Sequence, residues 1–293
     1  MRKAFILISL LLLAVLVAAC GSSEDTGDSG SNNESEEASD SKWNEIQEEG
    51  EIVVGTSGTL FPASYYPEGS DEMTGYDVEI MREVADRLGL ELKFEEYGVD
   101  GLLSAINSGR IDAVINDMEV TKERQKQFAF SEPYKYSYST MIVRESDLSG
   151  IEKLEDLEGK THGGGATTVF SQIAEHFGAD TKTYGNVTND VYLRDVENGN
   201  TDFIINDYYL QSLALQALTD IEVQLHPDLK FHPTNSAIVM PKEAETMKEE
   251  IDAVLAEMKE DGTLTKLSEE FFGGQDASKE PEEDIREIEG LDL

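Results

Sequence analysis

The apolar positions of this chain change period repeatedly along its length. "EIVVGTSG" (51–58) is a short apolar run that breaks at Gly55 and reads as a strand. "GYDVEIMREVADRLGL" then places Val78, Met81, Val84, Ala85 and Leu88 on one helical face and stops at Gly89. "ELKFEEYG" alternates as a strand does, "DGLLSAINSG" reads as a helix capped near Asp100 and ended by Gly109, and "RIDAVIND" is a buried strand. The second half repeats the alternation: "GKTHGGG", helix "TTVFSQIAEHFG", strand "TKTYG", helix "TNDVYLRDVENG", strand "TDFIIND" and helix "YYLQSLALQAL". Strands alternating with helices through short glycine-ended turns predict an α/β fold of two units with mostly parallel sheets.

Two extended stretches, "KYSYSTMIVRES" (135–146) and "PTNSAIVMPKE" (233–243), stand at the edges of the second unit and read as paired crossovers. The helices "AETMKEEIDAVLAEMKEDG" and "LTKLSEEFFGG" then return to the first unit. The expected organisation is a discontinuous first lobe (44–141 and 237–274) with an inserted second lobe (142–236). Ligands of such folds bind at the carboxyl ends of strands, here in the cleft between lobes. Two crossover strands also permit hinge closure.

The ends differ from this body. Arg2 and Lys3 precede an apolar run from Ala4 to Ala19, which has the layout of a secretory signal and is short for a spanning helix. "VAAC" followed by Gly21 resembles a bacterial lipobox, which implies cleavage ahead of Cys20 and lipid attachment to it; an uncleaved anchor is the alternative. Cys20 is the only cysteine, so the body offers no disulfide, thiolate metal site or cysteine nucleophile. Residues 21–43 read as an acidic, disordered tether and residues 275–293 as a fraying acidic tail.

The net charge is −38; removing +2 for residues 1–20, −7 for 21–41 and −6 for 275–293 leaves −27 for 42–274. The body itself is therefore acidic, which argues against nucleic acid as a partner. The four histidines form no adjacent helical pair, and no Gly-x-Ser-x-Gly elbow occurs, so a metal site and a serine hydrolase are both set aside. No cofactor is expected.

The stretches "VGTSGTLFPASYY", "TGYDVEIMREVADRLG", "DGLLSAINSGRIDAVINDMEVTKERQKQFAFSEPY", "LEDLEGKTHGGGATT" and "MKEDGTLTKLSEEFF" resemble family 3 extracytoplasmic solute-binding proteins of polar amino acid ABC importers. The likeness spans about residues 46–274 and runs nearest to the L-cystine-binding lipoproteins. It implies the two-lobed, type II periplasmic-binding-protein-like fold. It also implies a monomer held by lipid on the outer face of the cell membrane, which delivers cystine or a related sulfur-containing amino acid to permease and ATPase subunits.

Carried over by position, the resemblance makes Arg124 the holder of the ligand α-carboxylate, for which a guanidinium offers a planar fork. Thr167 and Thr168 in "GGGATT" match a turn that offers N–H groups and a hydroxyl to the same carboxylate. Asp207 matches the carboxylate that pairs with the α-ammonium, with a helix N-cap as its alternative. Ser57, Leu60, Phe61 and Val99 complete the expected ligand contacts. Leu60 and Val99 stand where the family usually places aromatic rings, and Phe61, Tyr65 or Tyr66 is the candidate replacement. Glu119 replaces a hydroxyl and Asp117 a small residue, which suits a ligand with a second cationic group such as cystine or a basic amino acid; an exposed loop acid is the plain alternative for Glu119. A dehydratase on the same fold, with Glu119 as acid, is the remaining enzyme reading.

Overall fold

The computed structural model describes residues 42–282 and 285–291. The signal segment, Cys20 and the tether up to residue 41 lie outside the described residues. The chain runs as helix α1 (42–49), then β1 (Glu51–Thr56), the small hairpin β2 (Thr59–Leu60) and β3 (Ser64–Tyr65), α2 (Tyr76–Leu88), β4 (Glu91–Glu96), α3 (Val99–Asn107), β5 (Ala113–Val114), α4 (Lys122–Gln125) and β6 (Phe128–Phe130). It crosses on β7 (Lys135–Arg144) and continues through β8 (Thr161–Gly164), α5 (Val169–His176), β9 (Asp180–Thr183), α6 (Asn189–Glu197), β10 (Ile204–Asp207) and α7 (Tyr208–Ala217). It returns on β11 (Val223–Ser236) to β12 (Val239–Pro241), α8 (Glu245–Glu260) and α9 (Thr263–Phe271).

The first lobe is a sheet of order β4-β1-β5-β12-β6, parallel at β4-β1-β5 and antiparallel where β12 joins. Alternation along β1 sends Ile52 and Val54 into a core shared with α2, α8 and α9, while Val53 packs on the opposite face with Leu102, Ala105 and Ile106 of α3. Helix α2 ends as its sequence predicts: Gly89 is left-handed at φ 70°, and its N–H bonds back to the last turn. Gly75 opens the same helix where a Cβ would sit 2.2 Å from the Ala63 carbonyl, so only glycine fits.

In the second lobe, β8 and β9 pair in parallel and a parallel bridge from His162 to Phe203 joins them to β10. The central order β10-β7-β11, however, is antiparallel. The second crossing begins at Val223 and not at the expected 233, and Val239–Pro241 already belongs to the first-lobe sheet. The expectation of mostly parallel sheets fails here, because β7 and β11 are themselves the middle and edge of the second sheet. They pair from Lys135↔Ser236 at the first lobe to Arg144↔Val223 at the far end, with register breaks between Leu225 and Lys230 and between Phe231 and Pro233. Two cores flank this sheet, one around Ile173, Phe203 and Phe231, the other around Ile142, Leu193 and Ile204. His162 is buried in the middle, and burial lowers its pKa to about 4, so it is neutral.

The fraying tail is corrected over 275–282 and 285–291. Ala277 is fully buried in the first lobe and its carbonyl accepts from Tyr136 N at 2.7 Å. Further on, the Arg286 carbonyl accepts from His232 N at 2.7 Å, and Ile288 and Leu291 pack on the second lobe. A few apolar residues spaced through an acidic segment suffice to dock it, and composition averages hide them.

Candidate ligand-binding site

A cavity of about 150 Å³ opens between the lobes. The first lobe lines it with Ser57, Leu60, Val99 and the loop from Asn116 to Glu119 with Arg124; the second lines it with the glycine turn 163–165, Thr168, Phe170 and segments around Asn186 and Asn206. The geometry that matters begins in "INDMEVTKER". Asn116 is buried and its Oδ1 accepts from Ser57 N at 2.9 Å, tying the end of β5 to the end of β1. Asp117 then takes a positive φ of 49°, a conformation an aspartate tolerates better than a bulky residue, and this turns the chain into the cleft.

Thr121 caps the one-turn helix α4 by accepting from Arg124 N at 3.1 Å. That cap directs Arg124 inward. Its Nη1 donates to the Glu119 carbonyl at 2.9 Å, and its Nη2 donates across the cleft to the Thr167 carbonyl at 3.3 Å. Burial lowers its pKa, opposed by Glu119 and Glu123, and an arginine so placed remains a cation.

The glycine turn meets it from the other lobe. Thr168 caps α5, accepting from Ser171 N at 3.2 Å, and lines the cavity. Thr167 does not line it. Its N–H and hydroxyl donate to Asp100 Oδ1 at 2.9 and 2.7 Å, and Ala166 N donates to Asp100 Oδ2 at 3.3 Å. The carboxylate that Thr167 was expected to serve is thus, in this form, the protein's own, from the first turn of α3. The sequence marks Asp100 as a helix cap, but Gly98 holds the cap position and the Asp100 carboxylate turns to the second lobe. A second bridge is Asn186, whose Oδ1 accepts from Thr59 Oγ1 at 2.6 Å and whose Nδ2 donates to the Ser57 carbonyl at 3.3 Å. Arg124, Asp100, Thr59 and Ser57 thus all hydrogen-bond across the cleft to the second lobe.

Below the cleft lies a buried ionic cluster that pattern reading missed. Lys135, the first residue of β7, is 1% exposed, and its Nζ lies 2.8 Å from Asp117 Oδ1 and 2.7 Å from Asp207 Oδ2. Burial opposes the ammonium, but the two carboxylates outweigh it and hold its pKa above the ordinary lysine value. Asp207 is corrected accordingly: it does not line the cavity, its Oδ1 caps α7 at Leu210 N (3.0 Å), and its Oδ2 is held by Lys135. Asp117 lines the cavity, but its side chain is spent on Lys135 and on the Ser236 hydroxyl at 2.6 Å. Both carboxylates thus already share a buried cation, Lys135. Asp77 sits behind them, accepting from Asp117 N at 2.5 Å; burial first, then the charge of Asp117, raises its pKa to about 8.

Glu119 is buried, not an exposed loop acid. One oxygen is held by His232 Nε2 at 2.6 Å, and Oε2 has no hydrogen-bond partner among the described residues. Phe61 is corrected as well: it packs edge-on against Tyr65, with ring centroids 4.8 Å apart, and neither they nor Tyr66 lines the cavity. The rings come from the second lobe as Phe170, Tyr184 and Tyr192. Leu60 and Val99 do line the cavity as expected.

A model of bacterial extracellular solute-binding proteins, family 3, matches residues 52–274. A probable ABC transporter extracellular-binding protein, YckB of Bacillus subtilis, is 48% identical over 289 residues, covering 98% of this chain and 97% of its own. Its crystal structure superposes with a TM-score of 0.68 at 51% identity, over 84% of this chain and 99% of the other. The L-cystine-binding protein TcyA of Bacillus subtilis is 30% identical over 285 residues, 95% of this chain and all of the relative.

Proposed function

The chain belongs to the bacterial extracellular solute-binding proteins of family 3, and from that premise we propose that it is a lipid-anchored receptor of an ABC importer that closes on L-cystine or a related sulfur-containing amino acid. Arg124 carries the reading. It belongs to the first lobe, lines the cavity and already reaches the Thr167 carbonyl of the second. A carboxylate bound there touches the hinge-closing contact itself, and only a ligand with higher affinity for the closed form drives closure. Thr168 and the glycine turn give the same carboxylate a helix N-terminus, and α5 is eight residues long.

Cystine rather than a smaller amino acid is favoured by relatedness to TcyA and by a cavity that continues from Arg124 to the apolar and aromatic surface of Leu60, Val99, Phe170, Tyr184 and Tyr192. Lipid on Cys20 would keep the receptor at the outer face of the membrane beside its permease and ATPase. The free oxygen of Glu119 keeps a second reading in view, a basic amino acid.

A thermal-shift panel is the direct test. A ligand at a hundred times its Kd adds about 2.7 kcal/mol, so L-cystine should raise the melting temperature clearly, more than lysine, arginine or glutamine does. Absence of any shift from amino acids would defeat the transport reading. Consumption of a prephenate-like acid would replace it with the dehydratase.

A further inference from the structure

We propose that Glu119, and not Asp207, is the carboxylate that receives the ligand's ammonium, and that Lys135 has displaced that function by acting as a built-in cation for Asp207. The inference rests on the solute-binding reading and deepens it.

Three carboxylates stand at or just beneath the floor of the cleft. Asp207 has one oxygen on the Leu210 amide and the other on Lys135, and Asp117 is held by Lys135 and Ser236. A ligand ammonium at either would set a second cation beside the buried Lys135 ammonium, whose charge already balances these carboxylates. Glu119 is different. It is 8% exposed and lines the cavity, and its Oε2 is buried with no partner among the described residues. A buried carboxylate oxygen without a donor is unfavourable until a donor arrives.

The surroundings look built for this. His232 holds Oε1 at 2.6 Å from the returning crossover, at the register break between Phe231 and Pro233, where it has a positive φ of 52°. A positive φ is uncommon for a residue other than glycine, and the result is that Glu119 is anchored by one oxygen while the other is buried without a donor. His232 is thus a positioning residue. Arg124 completes the arrangement, because its guanidinium donates to the backbone carbonyl of the same Glu119 at 2.9 Å and not to its carboxylate. One stretch of six residues, Glu119 to Arg124, therefore brings an unpartnered carboxylate oxygen and a guanidinium to the same cavity. A zwitterion that sets its carboxylate on Arg124 and its ammonium on Glu119 gives each a charge-assisted partner.

Calorimetry on the full folded chain tests this with L-cystine and with 3,3′-dithiodipropionate, the same molecule without its amino groups. Glu119→Gln should weaken L-cystine by at least about 30-fold, the low end for removing one partner of a buried charge pair, and should leave the desamino compound's affinity within a few-fold. His232→Gln should weaken cystine less and in the same direction. Asp207→Asn retains an oxygen for the Leu210 amide; it should change discrimination between the two compounds little. Unchanged cystine affinity in a folded Glu119→Gln, or discrimination lost in Asp207→Asn alone, overturns the proposal. If the parent protein binds neither cystine nor lysine, arginine or glutamine, the transport reading has failed and this inference falls with it; if it binds one of the other three, that amino acid and its desamino analogue replace the cystine pair.

Discussion

Lys135 Nζ lies 2.7 Å from Asp207 Oδ2, a buried ion pair that joins the start of one crossover strand to the end of a second-lobe strand. Asp117 of the first lobe holds the same ammonium at 2.8 Å. One lysine thus ties both lobes together beneath the cleft. Its first consequence is for stability. Lys135→Met should cost about 3–5 kcal/mol in urea unfolding, because it strands two buried carboxylates. Adding Asp117→Asn and Asp207→Asn should recover much of that loss; a single variant as stable as the parent would show that the pair contributes nothing.

Arg124→Ala should abolish amino acid binding in calorimetry while the melting temperature of the free protein changes little. The side chain's donors reach two backbone carbonyls at the cleft and its residue is only partly buried, so the fold does not depend on it.

Asp100→Ala should weaken ligand binding by about 3- to 10-fold, the scale of one or two net hydrogen bonds. Its carboxylate accepts from Ala166 and Thr167 of the other lobe, so its loss shifts the population toward open forms. Small-angle scattering of the free variant should give a larger radius of gyration than the parent; an unchanged radius and affinity would count against a latch.

Asp77 supplies a pH signature. Its pKa, raised by burial to about 8 from an ordinary 3.8, means that the folded form keeps a proton the unfolded chain has released. Its contribution is fully present below about pH 4 and is lost as pH rises toward 8. Asp77→Asn should therefore gain melting temperature on the parent steadily between pH 4 and pH 8. A constant difference across that range would mean that Asp77 is ionised when folded.

His162 acts with the opposite sign. Its pKa of about 4, lowered by burial, makes the unfolded chain bind a proton first as pH falls from about 6.5, so stability declines from there to about pH 4. A phenylalanine variant should show a shallower decline in that window, read by thermal melts.

The α/β alternation, the two crossovers and the helix stops were legible because each rests on neighbours in sequence: a period of two or near four, a cap, a left-handed glycine. Gly89, left-handed at the end of α2, is of this kind. So is the cleft, which follows from where strands end. The residues misread were those whose partners come from far along the chain. Asp207 looked open to a ligand because Lys135, 72 positions earlier, gives no sign in "PYKYS" that it is buried. Asp117 lines the cavity, but its donors Lys135 and Ser236 were not legible, and Phe61 was misplaced because a ring's direction depends on what packs against it.

The sequence by itself determined the elements, their order and the motif that carries Arg124, since local backbone energetics and hydrophobic period act over a few residues. Which carboxylates remain open was decided only by the tertiary structure. An acid's availability is the difference between its desolvation and the donors brought to it, and those donors are Lys135, Ser236 and His232, each supplied from another strand.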